Sequence, residues 1–256
     1  MATSRKDALG DRMKRYEETT KFTLPRRTYD VELMECMDAA AIALCEQISG
    51  TQFAYVQSDE ISLLATDFTD TETQSWFDGN VQKWASVGAA IATMAFNNAV
   101  REHEEGSAWG PGEPVHPWYG RKANAVFDAR VFTIPDLIEV ENYFVWRQQD
   151  AERNSVMMLA RAYASHKALA GKNRAAQHEI IHKAGDNWAK HPARFKHGGV
   201  IRRAGDDEAS QHGGTNWLVD TKTPVFTRNG GRAYLRNLVP VIWNDDLLVR
   251  KATANG

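Results

Sequence analysis

The sequence predicts an α+β fold. Strand-like apolar runs are separated by helical stretches, an order that fits neither a helical bundle nor a β-sandwich. Two of the runs, Phe53-Ala54-Tyr55-Val56 and Ile61-Ser62-Leu63-Leu64-Ala65, are rich in residues that suit half-buried pleated surfaces. They enclose Gln57-Ser58-Asp59-Glu60 and read as a hairpin with an acidic pair at its junction. The 43% hydrophobic and 25% charged fractions exclude disorder as the main theme, and 256 residues suffice for one large domain with a core.

The elements follow in order. Ser4 to Asp7 form a helix cap, and Leu9, Met13 and Tyr16 give the next stretch one apolar side. A second helix begins after Asp30 and runs to about Gln47 on an Ala- and Met-rich face. The hairpin comes next. A polar turn over 69–73 leads to a long helix from Ser75 to about His103, bearing Trp76, Trp84, Val87, Ile91 and Phe96. Residues 106–122 are rich in Pro, Gly and Trp and read as loop. Ala125 to Phe132 alternates well enough for a third strand. Pro135-Asp136 starts a helical region reaching about Leu169, and another helix ends near Ala184. A basic loop follows, then strand-like pieces at Val225-Phe226, Tyr234-Leu235 and Leu238 to Trp243.

Composition narrows the function. A net charge of −2 gives no global attraction to nucleic acid, so any such binding needs a local patch. One candidate is 183–203, where Lys183, Lys190, Arg194, Lys196, Arg202 and Arg203 outnumber Asp186, with Trp188 and Phe195 between them. Such a segment grips phosphates and stacks on a base, or is a solvated charged loop with two anchoring aromatics. Cys36 and Cys45 lie too far apart on one helix to form a disulfide, which fits a reducing, cytoplasmic setting. Neither a secretory leader nor a membrane-spanning run is expected.

Two motifs suggest chemistry. Adjacent carboxylates at Asp59 and Glu60 suit a hard divalent cation that keeps water and phosphate in its other positions, although a solvated hairpin is the plainer reading. His178-Glu179-Ile180-Ile181-His182 fits the HExxH zinc-protease pattern, with Glu208 as a third ligand of the thermolysin kind. Trp188 stands where the longer zinc motif wants a third histidine, and surface histidines are the competing reading.

Four stretches in register resemble the tRNA-His guanylyltransferase family: Gly10 to Lys14, Tyr55 to Ile61, Phe127 to Val131, and Trp146 to Asn154. The resemblance spans roughly 8–200 and implies a palm-like, ferredoxin-type antiparallel sheet. It implies a single domain over 1–256, with a catalytic palm over about 8–170 and a helical, basic part over about 171–256. The activity implied is addition of GMP or other nucleotides to the 5′ end of tRNA in the 3′-to-5′ direction. GTP and ATP are the implied substrates, ATP activating a 5′-monophosphate end, with two Mg²⁺ ions and a homotetramer or dimer. Carried over by position, Asp59 and Glu60 are the metal-binding acids, and Ser58 and Asp59 lie at the nucleotide. Lys83 is a phosphate partner or a solvated helix lysine. Arg130, Arg147 and Asn154 contact tRNA or nucleotide, or serve the fold. In one respect the chain departs from the family. The family's Asp-Gly metal-binding strand is missing where Tyr29 joins Asp30, so a catalytically disabled tRNA-binding relative is the alternative.

Overall fold

The computed structural model describes residues 30–67, 73–106, 123–205 and 216–239. The expected first helix, the loop beyond 106, Glu208 and the strand-like piece beyond Val239 lie outside them. Helix α1 (Val31–Gln47) is capped by the Asp30 carboxylate, which accepts from Leu33 N–H. It leads through Gly50 into β1 (Thr51–Gln57) and β2 (Glu60–Ala65), the expected hairpin. A Cβ at Gly50, whose φ is 77°, would sit 2.1 Å from the Thr66 carbonyl oxygen, so only glycine makes this turn.

The long helix starts later than expected. Trp76–Gly79 forms a 3-10 turn with left-handed Phe77 and Asp78, and α2 (Val81–Gly106) follows, with Asn80 Oδ1 accepting from Lys83 N–H. Two aromatic contacts explain the break. Trp76 meets Trp84 edge-on at 5.3 Å and stacks obliquely on Phe77, and the Trp84 indole N–H donates to the Trp76 carbonyl. Helix α3 (Leu137–Tyr163) is capped by Asp136, as expected, and is unbroken until Ala164. Short α4 (His166–Leu169), α5 (Arg174–Lys183), a 3-10 turn at Trp188–Lys190 and α6 (Ala193–His197) follow.

The sheet is antiparallel throughout, in the order β2-β1-β3-β4, with β3 (Gly199–Arg203) and β4 (Trp217–Asp220) both missed by the sequence reading. In the other direction, Tyr234-Leu235 lies inside helix α7 (Asn229–Leu238), and Val225-Phe226 is a turn leading into it. The fold is thus α+β and palm-like, as expected. Alternation along β1 divides the core. Ala54 and Val56 face α1 and α2, with Met37, Ala41 and Phe96. Phe53 and Tyr55 face α3 and α7, with Phe144, Phe226 and Leu235.

The segment 123–134 is not the third strand expected over Ala125–Phe132. It alternates half-buried and exposed residues from Ala123 to Asp128, yet pairs with no strand among the described residues. The side chains of α2 take the place of a ladder. The Asn97 amide binds both the N–H (2.9 Å) and the C=O (2.8 Å) of Ala125, and Thr93 Oγ1 accepts from Phe127 N–H at 3.0 Å. Phe127 packs with Ile61 and Leu63 on the α1–α2 face, whereas Phe132 meets Tyr143 and Ile134 joins the opposite cluster. Because Tyr143 also reaches Ser62 of β2, the segment passes from one face to the other on the β2 side of the sheet.

Candidate functional site

The hairpin end of the sheet carries the acidic pair. Ser58, Asp59 and Glu60 are exposed, and Ser58 adopts a left-handed φ of 48°, the backbone that a two-residue hairpin demands. Glu60 is engaged: its Oε2 accepts from Gln57 Nε2 at 2.8 Å and pairs with the Arg147 guanidinium. Arg147 reaches it from α3. Its side chain is buried, with the guanidinium carbon 5.2 Å from the Trp146 ring centroid. Beside it, Tyr143 contacts the Trp146 ring at 6.3 Å. The structure therefore joins Glu60, Arg147 and their neighbour Asp59 at one exposed corner, bordered by half-exposed Trp146.

The other site candidates lie elsewhere. Asn154 donates to Asp150 at 3.2 Å, within α3. Lys83 lies 5.3 Å from the Phe77 ring centroid in the first turn of α2. Its neighbour Trp84 packs against the cluster of Leu44, Ile48, Ile91 and Ala92, and no contact joins Lys83 to the hairpin acids among the described residues. Arg130 is exposed on the segment beside β2.

The basic stretch 183–203 is largely structural. Arg194 is buried, binds the Asp38 carboxylate at 2.7 Å and donates to the Val56 carbonyl, tying α6 to α1 and β1. Burial pushes the Asp38 carboxyl up, and the Arg194 charge pulls it back. Phe195 is buried, and the Trp188 indole donates to Ser155 Oγ at 2.9 Å, with Arg174 and Lys196 each within 6 Å of its ring. His197 Nδ1 lies 3.0 Å from a Glu152 carboxylate oxygen. Burial raises the Glu152 pKa, but His197 and Arg174 outweigh that and hold the carboxyl below its ordinary value. Lys183 and Lys190 remain exposed.

The HExxH motif gathers no metal-ligand set among the described residues, and Glu208 lies outside them. His178 meets the Trp188 ring at 5.7 Å, Glu179 pairs with Lys183 at 3.5 Å, and no group of three or more His, Cys, Asp or Glu among the described residues could hold a metal. Cys36 and Cys45 are both buried free thiols that burial pushes up to about 12, inert packing residues rather than nucleophiles.

A divalent cation still suits the hairpin in one form. Mg²⁺ is commonly held by one or two carboxylates, with water and substrate phosphates completing its shell. Asp59 and the remaining Glu60 oxygen supply donors of that kind at an exposed corner. No helix among the described residues is long and apolar enough to cross a membrane.

Comparison with known proteins bears on the fold and the family. The tRNAHis guanylyltransferase family model matches residues 9–135. A bacterial tRNA(His) guanylyltransferase-like protein, solved in complex with ATP, is similar at a TM-score of 0.68 and 34% identity over 91% of this chain and 100% of that one. The tRNA(His) guanylyltransferase of Candida glabrata is 24% identical, the match covering 75% of this chain and 80% of that protein. The Saccharomyces cerevisiae enzyme shares the fold at a TM-score of 0.53, with 20% identity over 75% of this chain and 82% of its own. With a third of its residues shared with a bacterial relative over nine-tenths of its length, the chain belongs to the tRNAHis guanylyltransferase family.

Proposed function

We propose that this chain is a nucleotidyltransferase that adds GMP or another nucleotide, drawn from a triphosphate, to the 5′ end of tRNA in the 3′-to-5′ direction. The observation that carries the reading is the Asp59-Glu60 hairpin, exposed at the end of the sheet in a chain that is 34% identical to an ATP-binding relative. Asp59 and Glu60 would hold Mg²⁺, which when bound offsets triphosphate charge and polarises the phosphorus under attack. The Ser58 backbone, in its left-handed turn, fixes the direction in which the two carboxylates leave the sheet. Arg147, beside Glu60, carries the positive charge that a phosphate at this corner would meet. GTP is the incoming nucleotide in this reading. ATP activates a 5′-monophosphate end, whereas a triphosphorylated end needs no activation. The substrate is tRNA-His or a 5′-truncated tRNA, met in the cytoplasm by a homo-oligomer.

A second reading is favoured by one feature of the sequence: Tyr29 joins directly to Asp30, without the family's Asp-Gly metal-binding strand. In that reading the chain binds tRNA without extending it.

One experiment separates the two. The folded protein is given labelled GTP, Mg²⁺ and a 5′-triphosphorylated tRNA lacking its first nucleotide. Incorporation that falls about a hundredfold or more in Asp59→Ala supports the transferase. Salt-dependent tRNA binding with no incorporation by either protein supports the binding relative.

A further inference from the structure

We propose that Arg147 is a positioning residue that withholds Glu60 from a bare cation and releases it when phosphate arrives. The inference deepens the reading of the hairpin as a metal and nucleotide site, and rests on it. Arg147 is about nine-tenths buried, so its charge needs a partner. Glu60 is that partner, and it is the exposed member of the pair, with 54% of its side chain accessible against 11% for Arg147. The same oxygen, Oε2, takes both Arg147 and Gln57. The other nearby acid on α3, Asp150, is already engaged by Arg153 and Asn154. A cation reaching for Glu60 therefore competes with a buried guanidinium whose ion-pair partner is Glu60.

Arg147 also has an unmet donor. Its Nε is buried and meets no acceptor among the described residues. A phosphate placed beside the guanidinium supplies that acceptor and the counter-charge together. Glu60 can then turn to the cation that the phosphate brings. Exchange of partners makes cation and triphosphate bind together more readily than either alone, and such coupling is reciprocal. Asp59, one position earlier and exposed, is the carboxylate left available to the cation throughout.

The test reads Mn²⁺ binding by electron paramagnetic resonance, without nucleotide or tRNA. Arg147→Met, checked for folding by near-UV circular dichroism, should bind bare Mn²⁺ about tenfold more tightly than the parent, the size expected for removing one nearby positive charge. Arg147→Lys keeps the charge and should stay as weak as the parent, and Glu60→Gln added to Arg147→Met should abolish the gain. Unchanged or weaker Mn²⁺ binding in folded Arg147→Met overturns the proposal. Where that variant does not fold, the unaltered protein decides. Its Arg147 Nε–H NMR signal should move on addition of a non-hydrolysable GTP analogue with Mg²⁺ and stay in place with Mg²⁺ alone. A signal that ignores the analogue, or moves equally with Mg²⁺ alone, overturns it. A protein that fails to extend tRNA but shows the Mn²⁺ pattern keeps this inference and loses the transferase. One that extends tRNA without the pattern loses this inference alone.

Discussion

The two strands of the hairpin are neighbours in the chain, yet they live in different surroundings. β1 is paired on both sides, and its Phe53, Ala54, Tyr55 and Val56 are fully buried between helices on both faces. Among the described residues β2 is paired on one side only, and it is half-buried along most of its length. Polar contacts also tie β1 to the chain around it. The Tyr55 hydroxyl donates to the His197 carbonyl at 2.7 Å, and Gly198 lies so close that a Cβ there would come within 2.6 Å of that hydroxyl. Beside β2, by contrast, a segment with strand-like alternation is held by two helix side chains in place of a ladder. The rigid strand anchors the hairpin, and the looser one presents the acids. A binding corner gains from that division: its backbone is fixed from one side while the turn residues Ser58, Asp59 and Glu60 stay exposed.

The largest effects should fall on the β1 side. Arg194→Met would strand the buried Asp38 carboxylate and should cost about 3–5 kcal/mol in urea unfolding. Replacing both partners with apolar residues should cost clearly less than that. An equal cost would mean that the contacts of Arg194 with the Val56 carbonyl matter more than its charge. Phe53→Ala should cost a similar amount, about 3–5 kcal/mol, since the ring is fully buried and packs 4.5 Å from Phe144. Leu63→Ala on half-buried β2 should cost only about 1 kcal/mol. Equal losses at Phe53 and Leu63 would erase the contrast between the strands.

Acid sharpens the same contrast in the helical half. Glu152 is held low by His197 and Arg174 despite its burial. Asp186 is likewise held low, its burial outweighed by the Tyr163 hydroxyl, Asn187 N–H and His191. Groups with depressed folded values add stability above the unfolded carboxylate pKa of about 4, and that stability is lost as pH falls through the lower folded values. Asp38 runs the other way: its raised value means protonation first relieves its buried charge. Denaturation midpoints should therefore fall below about pH 4, and Glu152→Gln should flatten that fall. An unchanged slope in Glu152→Gln would remove His197–Glu152 from the account.

Which parts of the molecule were legible follows from how local their causes are. The hairpin was readable because apolar β-formers flank a short polar turn, and α1 because an Ala- and Met-rich apolar face runs from Asp30 to Gln47. β3 and β4 are only 5 and 4 residues long, too short for periodicity to reveal, and β3 follows a basic run that reads as loop. Tyr234-Leu235 looked like strand, but its helix packs so tightly that a Cβ at Gly231 would lie 2.0 Å from the Val225 carbonyl. At the site, the acid pair was legible as adjacent residues. Its engagement was not, because Arg147 lies 87 positions from Glu60 and only the packing of α3 brings them together.

The segment beside β2 offers the gentlest test of the comparison. Its alternation read as strand, and a strand needs backbone partners, so the missing ladder has to be replaced by something. Asn97 alone supplies two of the replacement bonds, to the N–H and C=O of Ala125, and is itself buried. Asn97→Ala removes both and leaves those backbone groups beside an apolar helix face, at a cost of about 1–3 kcal/mol. Little of that loss should reach the β1 amides: although Ala125 and Phe127 pack on the cluster that holds Ala54 and Val56, the β1 backbone is held by its own ladders to β2 and β3. Hydrogen exchange should therefore speed up at Ala125 and Phe127 while the amides of Tyr55 and Val56 keep their protection. Exchange that quickens equally in β1 would show that the segment supports the whole sheet, and the division between a fixed strand and a looser edge would fall.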